Sequence, residues 1–572
     1  MAGAVAISGL ELDPARKILR RWEELKTLRQ DWEATWEEIS RFFLPGRAFS
    51  SWRVPGELRD RRLVDATGII NNERLAAMIF GFSISPAQPF VRPEIAGSLL
   101  LTGRAADDID EEGRDYLDGV TWGHHSHMMT AQSGFAVGVN EALLEVCALG
   151  TGIIWTGRKR RFGARYQSRP LQNCWIATNA DDEVDTVYYA FTLPAWRVAE
   201  RWPAAAQLDT VKKAMERGDT ATLKLLMAVE PRAGGRYGAA AVRKPFKACL
   251  LLVEEKVIIE ESGYDSFPYA IPRFTVRPGE VYGYGPAHTA LPDARMLNAI
   301  MEAVIAGTEK IVDPPAMAPL RMFAKAVDRR RGAVNYYQAS QLGLQTADQA
   351  VRPLVTVGDI NVGVELIREV RRQIDGAFYV DWMRLRDSGN MTATEVNDRR
   401  DMRLRGMGPI VARVERELMG PIADRTFEIN AQEGFYGEAP DSVAGLDIRW
   451  AFTGPMALAQ LQQQRDAIGL SVGLALQLDQ LEQSGRPQVL DGEEAQRIFA
   501  ESVGLAPAVL RTRQTYAELR ERQDEAEAAA AQTQDAQGQA AALRDGAQGV
   551  QSLVNAMGGA GGGEAQALPM AA

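Results

Sequence analysis

Between residues 361 and 383 the chain reads NVGVELIREVRRQIDGAFYVDWM, and this stretch decides how the C-terminal half folds. Apolar side chains recur at three- and four-residue steps, which places them on one stripe of a helix: Val362, Leu366, Ile367, Val370, Ile374 and Phe378. The pattern predicts one helix from Asn361 to Met383, a rod about 35 Å long at roughly 1.5 Å per residue. Its other faces carry Arg368, Arg371 and Arg372.

Helical periodicity extends on both sides of this rod. It begins at about Leu291 and is interrupted by a Pro- and Arg-containing interval between Asp313 and Val357. After a polar interval, 384–391, the residues TATE at 392–395 have capping-box spacing and open another long helix that continues towards Asn430. Gly406, Gly408 and Pro409 predict a kink in it, because proline removes a helical hydrogen bond. Helices continue beyond Pro455, and the Gly-rich end cannot bury enough apolar surface to be ordered.

The first half of the chain has a mixed character. Apolar stripes predict helices at Asp13–Phe43, Ile69–Phe82 and Ala136–Ala148. Short β-rich runs separated by turns follow: Gly152–Thr156, Val184–Thr192, Ala248–Ile259 and Ala270–Val276. The predicted fold class is therefore α+β, mainly helical, with the mixed region ending near Val281.

Composition excludes several classes of protein. A chain of 572 residues is too long for one core, and two to four structural regions are expected. Its 65 basic and 75 acidic residues give a net charge of -10, which argues against a tight, sequence-independent grip on phosphates. The three cysteines form no CxxC pair, so neither a disulfide framework nor a thiolate metal site is expected. The sequence contains neither a secretion signal nor an apolar run long enough to span a bilayer, so we expect a protein that assembles in a reducing cytoplasm.

The sequence lacks the motifs of nucleotide chemistry. There is no GxxxxGK[ST] loop to hold nucleotide phosphates, so the chain is not predicted to be an ATP-driven motor. Gly283-Tyr284-Gly285-Pro286 lacks the third glycine of a dinucleotide-binding loop, and we assign it to a turn. No nucleophile or acid–base constellation stands out, so we predict neither catalytic residues nor a cofactor.

A histidine cluster offers the sharpest enzymatic alternative. His124, His125 and His127 follow a run of acidic residues, Asp107, Asp108, Asp110, Glu111 and Glu112, which together could serve a metal-dependent nuclease. The i, i+4 histidine pair and carboxylate of the HExxH geometry are missing. We therefore favour a solvated acidic turn and a polar helix face, and we predict no metal.

Basic residues are most dense at Arg329-Arg330-Arg331, with Arg321 and Lys325 nearby and Asp328 beside them. This cluster is either a docking face for phosphate or an acidic partner, or a solvated loop, and both interpretations stay open. The segment 361–430 contains twelve Arg and twelve Asp plus Glu. Such balanced charge does not grip DNA, although it can form salt bridges between neighbouring helices.

Four stretches, in order, carry a resemblance to a known family. The first contains WEEISRFFLP at 36–45, DATG at 65–68, NERLAA at 72–77 and Pro86. The second contains PYAIPR at 268–273, GEVYGYGP at 279–286, ALPD at 290–293 and LN at 297–298. The third is DPP at 313–315, and the fourth contains TATEV at 392–396, GPI at 408–410, EL at 417–418 and PI at 421–422. In these residues the chain resembles the podovirus-type bacteriophage head-to-tail connecting (portal) proteins.

The resemblance implies a portal fold assembled as a dodecameric ring around a central channel. By position it implies a mixed wing at 1–289, a first stem helix at 290–312, a clip at 313–360 and a second stem helix at 361–383. A tunnel loop at 384–391 then precedes a kinked helix and return to the wing at 392–455, a helical crown at 456–557 and a flexible tail at 558–572.

The resemblance also implies a function and partners. The ring would pass double-stranded DNA during packaging and ejection and would bind the packaging ATPase (terminase), the major capsid or scaffold protein and a tail adaptor. It would lie in the virion at the capsid portal vertex. Tunnel-loop candidates for DNA contact are Arg384, Arg386, Asp387, Asn390, Met391 and Thr392, and the basic cluster from Arg321 to Arg331 would be the docking face of the clip. A helical internal virion (ejection) protein is the alternative from another class.

Overall fold

The computed structural model describes residues 12–45, 63–95, 110–159, 163–218, 221–232, 244–313, 316–319, 333–337, 352–353, 361–383, 406–446 and 448–454, positions 328 and 330, and short pieces between 519 and 552. The chain divides into two compact units, Met1–Ala467 and Ile468–Ala572. In the second unit the described residues are helical.

Helices provide most of the frame of the first unit. In chain order they are α1 (Leu12–Phe43), α2 (Thr67–Ser83), α3 (Glu111–Met129), α4 (Phe135–Leu149), α5 (Ala195–Arg201), α6 (Asp209–Glu216), α7 (Pro286–Val312), α8 (Asn361–Ala377), α9 (Val380–Met383) and α10 (Gly420–Gln432). The predictions for α1, α2 and α4 are confirmed to within two residues. Helix α7 begins earlier than the expected Leu291, because Pro286 stands at its first turn, where a missing N–H costs nothing.

Strands alternate with these helices: β1 (Val91–Ile95), β2 (Ile154–Arg158), β3 (Ala164–Ser168), β4 (Cys174–Thr178), β5 (Val184–Pro194), β6 (Thr222–Pro231), β7 (Phe246–Leu252), β8 (Val257–Tyr264), β9 (Tyr269–Ala270), β10 (Ala316–Pro319), β11 (Val334–Tyr337), β12 (Arg352–Pro353) and β13 (Ile448–Phe452). The largest sheet is an antiparallel meander, β4-β5-β6-β7-β8. Smaller sheets are β3-β2-β9, β11-β10-β12 and the pair β1-β13. The predicted mixed α/β character is confirmed.

The meander is covered on both faces. Alternate residues of its strands pack against the first half of α1, where Ile18, Trp22 and Leu25 are buried. The opposite residues pack against α5 and α6, where Val198 and Val211 are buried. Because each face meets helices, the strands carry apolar residues on both sides.

The main core lies where the second half of α1 meets α2, α4 and the beginning of α7. Trp36, Ile39 and Phe43 of α1 are fully buried there. Close backbone contacts hold this region together: a Cβ at Gly150, whose φ is +83°, would lie 2.0 Å from the carbonyl oxygen of Gly283. Gly283 is therefore packed directly against the end of α4. The turn predicted at 283–286 was wrong: Tyr284 forms a β-bridge with Thr275, Gly285 is extended, and Pro286 opens α7.

Two runs were predicted wrongly as single elements. The expected helix from Asn361 to Met383 ends at Ala377, and Tyr379 has a left-handed φ of 57° before α9 begins. The break lets both Phe378 and Val380 enter the core, whereas in a continuous helix they would point about 200° apart. The run from Ala248 to Ile259 is a hairpin, because the chain reverses between β7 and β8, with Lys256 at φ 57°.

The helix leading to Gln432 contains a wide turn. Residues 406–414 are α-helical, Glu415–Met419 form a π turn, and α10 follows. The N–H of Gly420 bonds to the carbonyl of Glu415, five residues earlier, next to Pro421, which has no N–H to donate. A proline distorts the helical turn that precedes it. The residues at 401–405, which would form that turn before Pro409, lie outside the described part of the chain, so the predicted kink is untested.

Candidate functional site

Helices α7 and α8 form an antiparallel hairpin. A Cβ at Gly363 would lie 2.9 Å from Val304, while further along α8 Ile374 lies beside Leu297, so residue numbers rise on one helix as they fall on the other. Gly363 thus allows the two backbones to approach closely near the far end. The described chain between them includes the small sheet β11-β10-β12, in the segment predicted as the clip.

The far half of this hairpin buries little of its surface. Side chains that would normally be covered are open to solvent: Ile305 42%, Ile311 53%, Val312 79%, Val362 67% and Leu366 45% exposed. At the near end, by contrast, Ile367, Val370 and Ile374 are buried in the core. The hairpin therefore projects from the body with an uncovered apolar surface at its tip.

The base of the hairpin is held by polar contacts to the start of α2. Arg371 donates to the carboxylate of Asp65 through Nε at 3.1 Å and Nη2 at 2.6 Å. Burial works against the charge of Asp65, but hydrogen bonds from Thr67 and Arg371 outweigh it and lower the pKa of this carboxyl. The Asp65 side chain is 7% exposed, whereas that of Arg371 is 43% exposed, so a buried carboxylate meets a guanidinium that still reaches water.

The three arginines predicted on the faces of the second stem helix have different surroundings. Arg371 contacts Asp65, as described above, and Arg372 bonds to Glu369 at 2.9 Å on the surface. Arg368 is exposed. The three lie within about one turn of α8, and Arg371 is the one whose side chain bonds to the start of α2.

Most of the other predicted site residues lie outside the described part of the chain. These are the tunnel-loop candidates Arg384, Arg386, Asp387, Asn390, Met391 and Thr392, and Arg321, Lys325, Arg329 and Arg331 of the clip. Arg330 is described: its side chain bonds to Asp328 at 2.5 Å and lowers the pKa of that carboxyl to about 2. At Arg330, therefore, positive charge is offset by the neighbouring aspartate.

The histidine cluster is not the solvated polar face that we predicted. His124 and His125 are 0% and 5% exposed, on α3. Nδ1 of His124 lies 3.0 Å from the Tyr436 hydroxyl and its ring stacks on Trp450, while Nε2 of His127 accepts from the Ala164 N–H at 2.9 Å. The correction has a physical reason: each ring contacts a different neighbour, and His124 and His125 are withdrawn from water.

The described residues contain no group of three or more His, Cys, Asp or Glu that could hold a metal ion. The cysteines Cys147, Cys174 and Cys249 are buried and unpaired with one another. Burial raises the pKa of the Cys249 thiol to about 12, so it is not a reactive thiolate. In the described part of the chain no helix combines the length and apolarity needed to cross a bilayer.

The sequence matches the family model of the bacteriophage head to tail connecting protein over residues 15–510. The chain belongs to this family. The probable portal protein of Bordetella phage BPP-1 is 26% identical over 544 residues, covering 93% of each chain. The portal protein of Salmonella phage epsilon15 is 24% identical over 542 residues, covering 92% of this chain and 94% of its own.

A solved structure, the neck of an empty gene transfer agent particle computed with C6 symmetry, matches 79% of this chain and 96% of its own at 13% identity, with a TM-score of 0.35. The portal family resemblance seen in the sequence is confirmed by the family match and by the two curated relatives. The function of the chain is that of a phage portal, or head-to-tail connector, which is a structural component of the particle.

Sequence reasoning missed the contacts at the base of the hairpin. Asp65 stood in the DATG landmark at 65–68, but its partner Arg371 lies 306 positions further along the chain. The available signal was an aspartate two residues before Thr67, where α2 begins. Its carboxylate accepts a hydrogen bond from the Thr67 N–H, and this local contact does not indicate the distant arginine.

Proposed function

We propose that this portal protein assembles into a closed ring, with α7 and α8 of each subunit forming the stem around a channel for double-stranded DNA. The observation that carries the proposal is the projecting hairpin whose tip leaves Ile311, Val312, Val362 and Leu366 uncovered. Clustered exposed apolar side chains favour association between subunits. When each subunit contacts the next through two different faces, the subunits form a closed ring if the rotation from one to the next divides a full turn. A dodecamer is the ring size expected for the family.

The charge balance suits a channel through which DNA slides. The segment 361–430 holds equal numbers of Arg and acidic residues, twelve of each, and the whole chain has a net charge of -10. A strongly basic wall would gain favourable contacts at each phosphate and would slow passage, whereas a balanced wall does not. The mechanism is mechanical and electrostatic, with no chemical step assigned to the chain.

The remaining assignments follow the family's order along the chain. Residues 384–391 form the tunnel loop, in which Arg384, Arg386 and Asn390 hold DNA against slipping back, with Asp387, Met391 and Thr392 beside them. Residues 313–360 form the clip, whose basic residues Arg321, Lys325 and Arg329 to Arg331 dock the packaging ATPase and later a tail adaptor. The wing at 1–289 meets the capsid or scaffold protein, and residues 456–557 form the crown, with the flexible tail at 558–572 after it. Assembly takes place in the host cytoplasm.

Electron microscopy of the purified protein, classified by rotational symmetry, tests the ring. The wild type should form rings with a central hole, and Val362→Asp combined with Leu366→Asp should leave monomers, because the substitution buries two charges in the subunit contact. Met215→Asp is the matched control, since Met215 is a 48% exposed apolar side chain on α6, outside the hairpin. Wild-type monomers or fibres would overturn the proposal and favour an internal ejection protein.

DNA retention in filled heads tests the tunnel loop. Particles carrying both Arg384→Ala and Arg386→Ala should lose packaged DNA, whereas Arg372→Ala, which removes an exposed arginine of α8, should not. Full retention in the double variant would refute the role of the loop.

A further inference from the structure

One short segment touches both helices of the hairpin at their base. The backbone N–H of Val64 donates to the side-chain oxygen of Asn298 on α7 at 2.9 Å. The next residue, Asp65, accepts from Arg371 on α8. The two helices are therefore bonded to adjacent residues, in a place where the α2 helix begins.

Further contacts from α1 and α2 support the same attachment. Asn71, which is 1% exposed, donates to the carboxylate of Asp375 on α8 at 2.8 Å. Phe43 at the end of α1 stacks on Phe378, with ring centroids 5.4 Å apart. Gly68 lies against Phe43 so closely that a Cβ there would be 2.8 Å from the ring. We call the group Val64, Asp65, Asn71, Asn298 and Arg371 the base clamp.

Among these contacts the Asp65–Arg371 pair is the most specific. Two guanidinium nitrogens reach the same carboxylate oxygen, Oδ2, while the other oxygen, Oδ1, accepts from the Thr67 N–H at 2.8 Å. The carboxylate is thus fixed by the first turn of α2 and in turn orients the arginine. Such charge-assisted bonds are shorter and more directional than neutral ones.

We infer that the base clamp sets the angle at which the α7–α8 hairpin projects from the body, with Asp65 as the positioning residue. This inference rests on the proposed ring, because the angle matters when twelve hairpins must meet around one axis. A helix pair is stiff along its length but can tilt about its base. The clamp opposes that tilt by bonding each helix separately to the same short segment before α2.

The distance from the base clamp to the tip of the hairpin determines how far a small tilt moves the tip. The part of α7 beyond Asn298 runs to Val312, which is about 21 Å at ~1.5 Å per residue. A tilt of about 10° at the base would therefore move the tip by roughly 4 Å. A displacement of that size is comparable to the width of a side chain, so it would disrupt the packing of adjacent tips in a ring.

The angle can be measured directly by pulsed electron paramagnetic resonance between spin labels. Cysteines introduced at Ile311 on the tip and Val137 on α4, both exposed, would carry the labels, because the three native cysteines are buried. Labelled protein is diluted with unlabelled protein so that distances within one subunit dominate. The variants are Asp65→Asn, Arg371→Gln and their combination, with Arg372→Gln as the matched control on the exposed side of α8.

We expect Asp65→Asn to broaden the tip-to-body distance distribution by about 4 Å, the value for a tilt of ~10°. Arg371→Gln should broaden it equally, the double variant should add nothing, and Arg371→Lys should recover part of the wild-type width. Circular dichroism must show wild-type helix content, which separates loosening from misfolding. Unchanged widths in both single variants would overturn the inference.

Ring symmetry provides the second readout. Where the wild type forms rings of one symmetry, Asp65→Asn should yield a mixture of symmetries, and rings as uniform as those of Arg372→Gln would contradict the positioning role. A wild type that forms no ring defeats the proposed function instead, and the label distances still decide whether the clamp sets the angle.

Discussion

Replacing His124 by asparagine should reduce the acid sensitivity of the folded protein. His124 is completely buried on α3, and its pKa is lowered from 6.5 to about 3, mainly by desolvation and also by repulsion from His127 and His125. Its Nε2 has no hydrogen-bond partner among the described residues, so a proton bound there would be uncompensated.

The sign and the size follow from linkage. Because the pKa is depressed in the folded state, the unfolded chain binds a proton here below about pH 6.5 while the folded chain stays neutral, and stability falls as pH decreases towards 3. At pH 5 this difference is worth about 2 kcal/mol relative to neutral pH. His124→Asn removes it, although the variant also loses packing at every pH.

Urea unfolding at pH 7 and pH 5, followed by tryptophan fluorescence, tests the prediction. The loss of unfolding free energy between the two pH values should be about 2 kcal/mol smaller in His124→Asn than in the wild type. Tyr436→Phe is the control, because it removes the hydroxyl that contacts His124 but keeps the titrating ring. Equal pH-dependent losses in His124→Asn and the wild type would refute the burial argument.

Three other substitutions test the packing of the body. Phe378→Ala removes a fully buried ring stacked on Phe43 and should cost about 3 to 5 kcal/mol of unfolding free energy in urea. Glu417→Gln leaves the buried guanidinium of Arg273 without its carboxylate and should lower the free energy of unfolding by about 3 kcal/mol. Adding Arg273→Met should restore part of that free energy, and additive losses in the double variant would contradict this. Gly150→Ala places a methyl group against a backbone carbonyl and should abolish soluble expression, which a gel of the soluble fraction checks.

Apolar periodicity located the long helices α1, α2 and α4, each of which buries an apolar face, but it missed the short helices α5 and α6. The stripe in α1 predicted Asp13–Phe43, and the helix runs from Leu12 to Phe43. In α3 the same method failed, because two of its buried positions, His124 and His125, are histidines rather than aliphatic residues. A polar residue that is buried through a specific partner looks, in sequence, like a residue on a solvated face.

Irregular backbone was harder to foresee. The wide turn next to Pro421, where the bonding shifts to the carbonyl five residues back, was not predicted. Tyr379, just after the end of α8, has a left-handed backbone, which glycine and asparagine adopt more often than tyrosine does. The residue type therefore did not predict the break. At Tyr379 tertiary packing decides the outcome, since the break places both Phe378 and Val380 in the core.

The base of the hairpin shows a further limit of reading one sequence. The Asp65–Arg371 pair joins residues 306 positions apart, and the DATG pattern around Asp65 does not indicate which distant arginine it meets. The family order could place the two helices, but only the folded chain shows which arginine faces inward.

The pairing of β1 with β13 has a consequence for the newborn chain. All five residues of Val91–Ile95 pair with Ile448–Phe452, so during synthesis this strand has no partner until more than 350 further residues have been added. Contacts of such long sequence separation form slowly and keep a strand edge unpaired during synthesis. At ~5 to 20 residues per second the ribosome leaves that edge open for roughly 20 to 70 s, a period in which chaperone binding should be strongest.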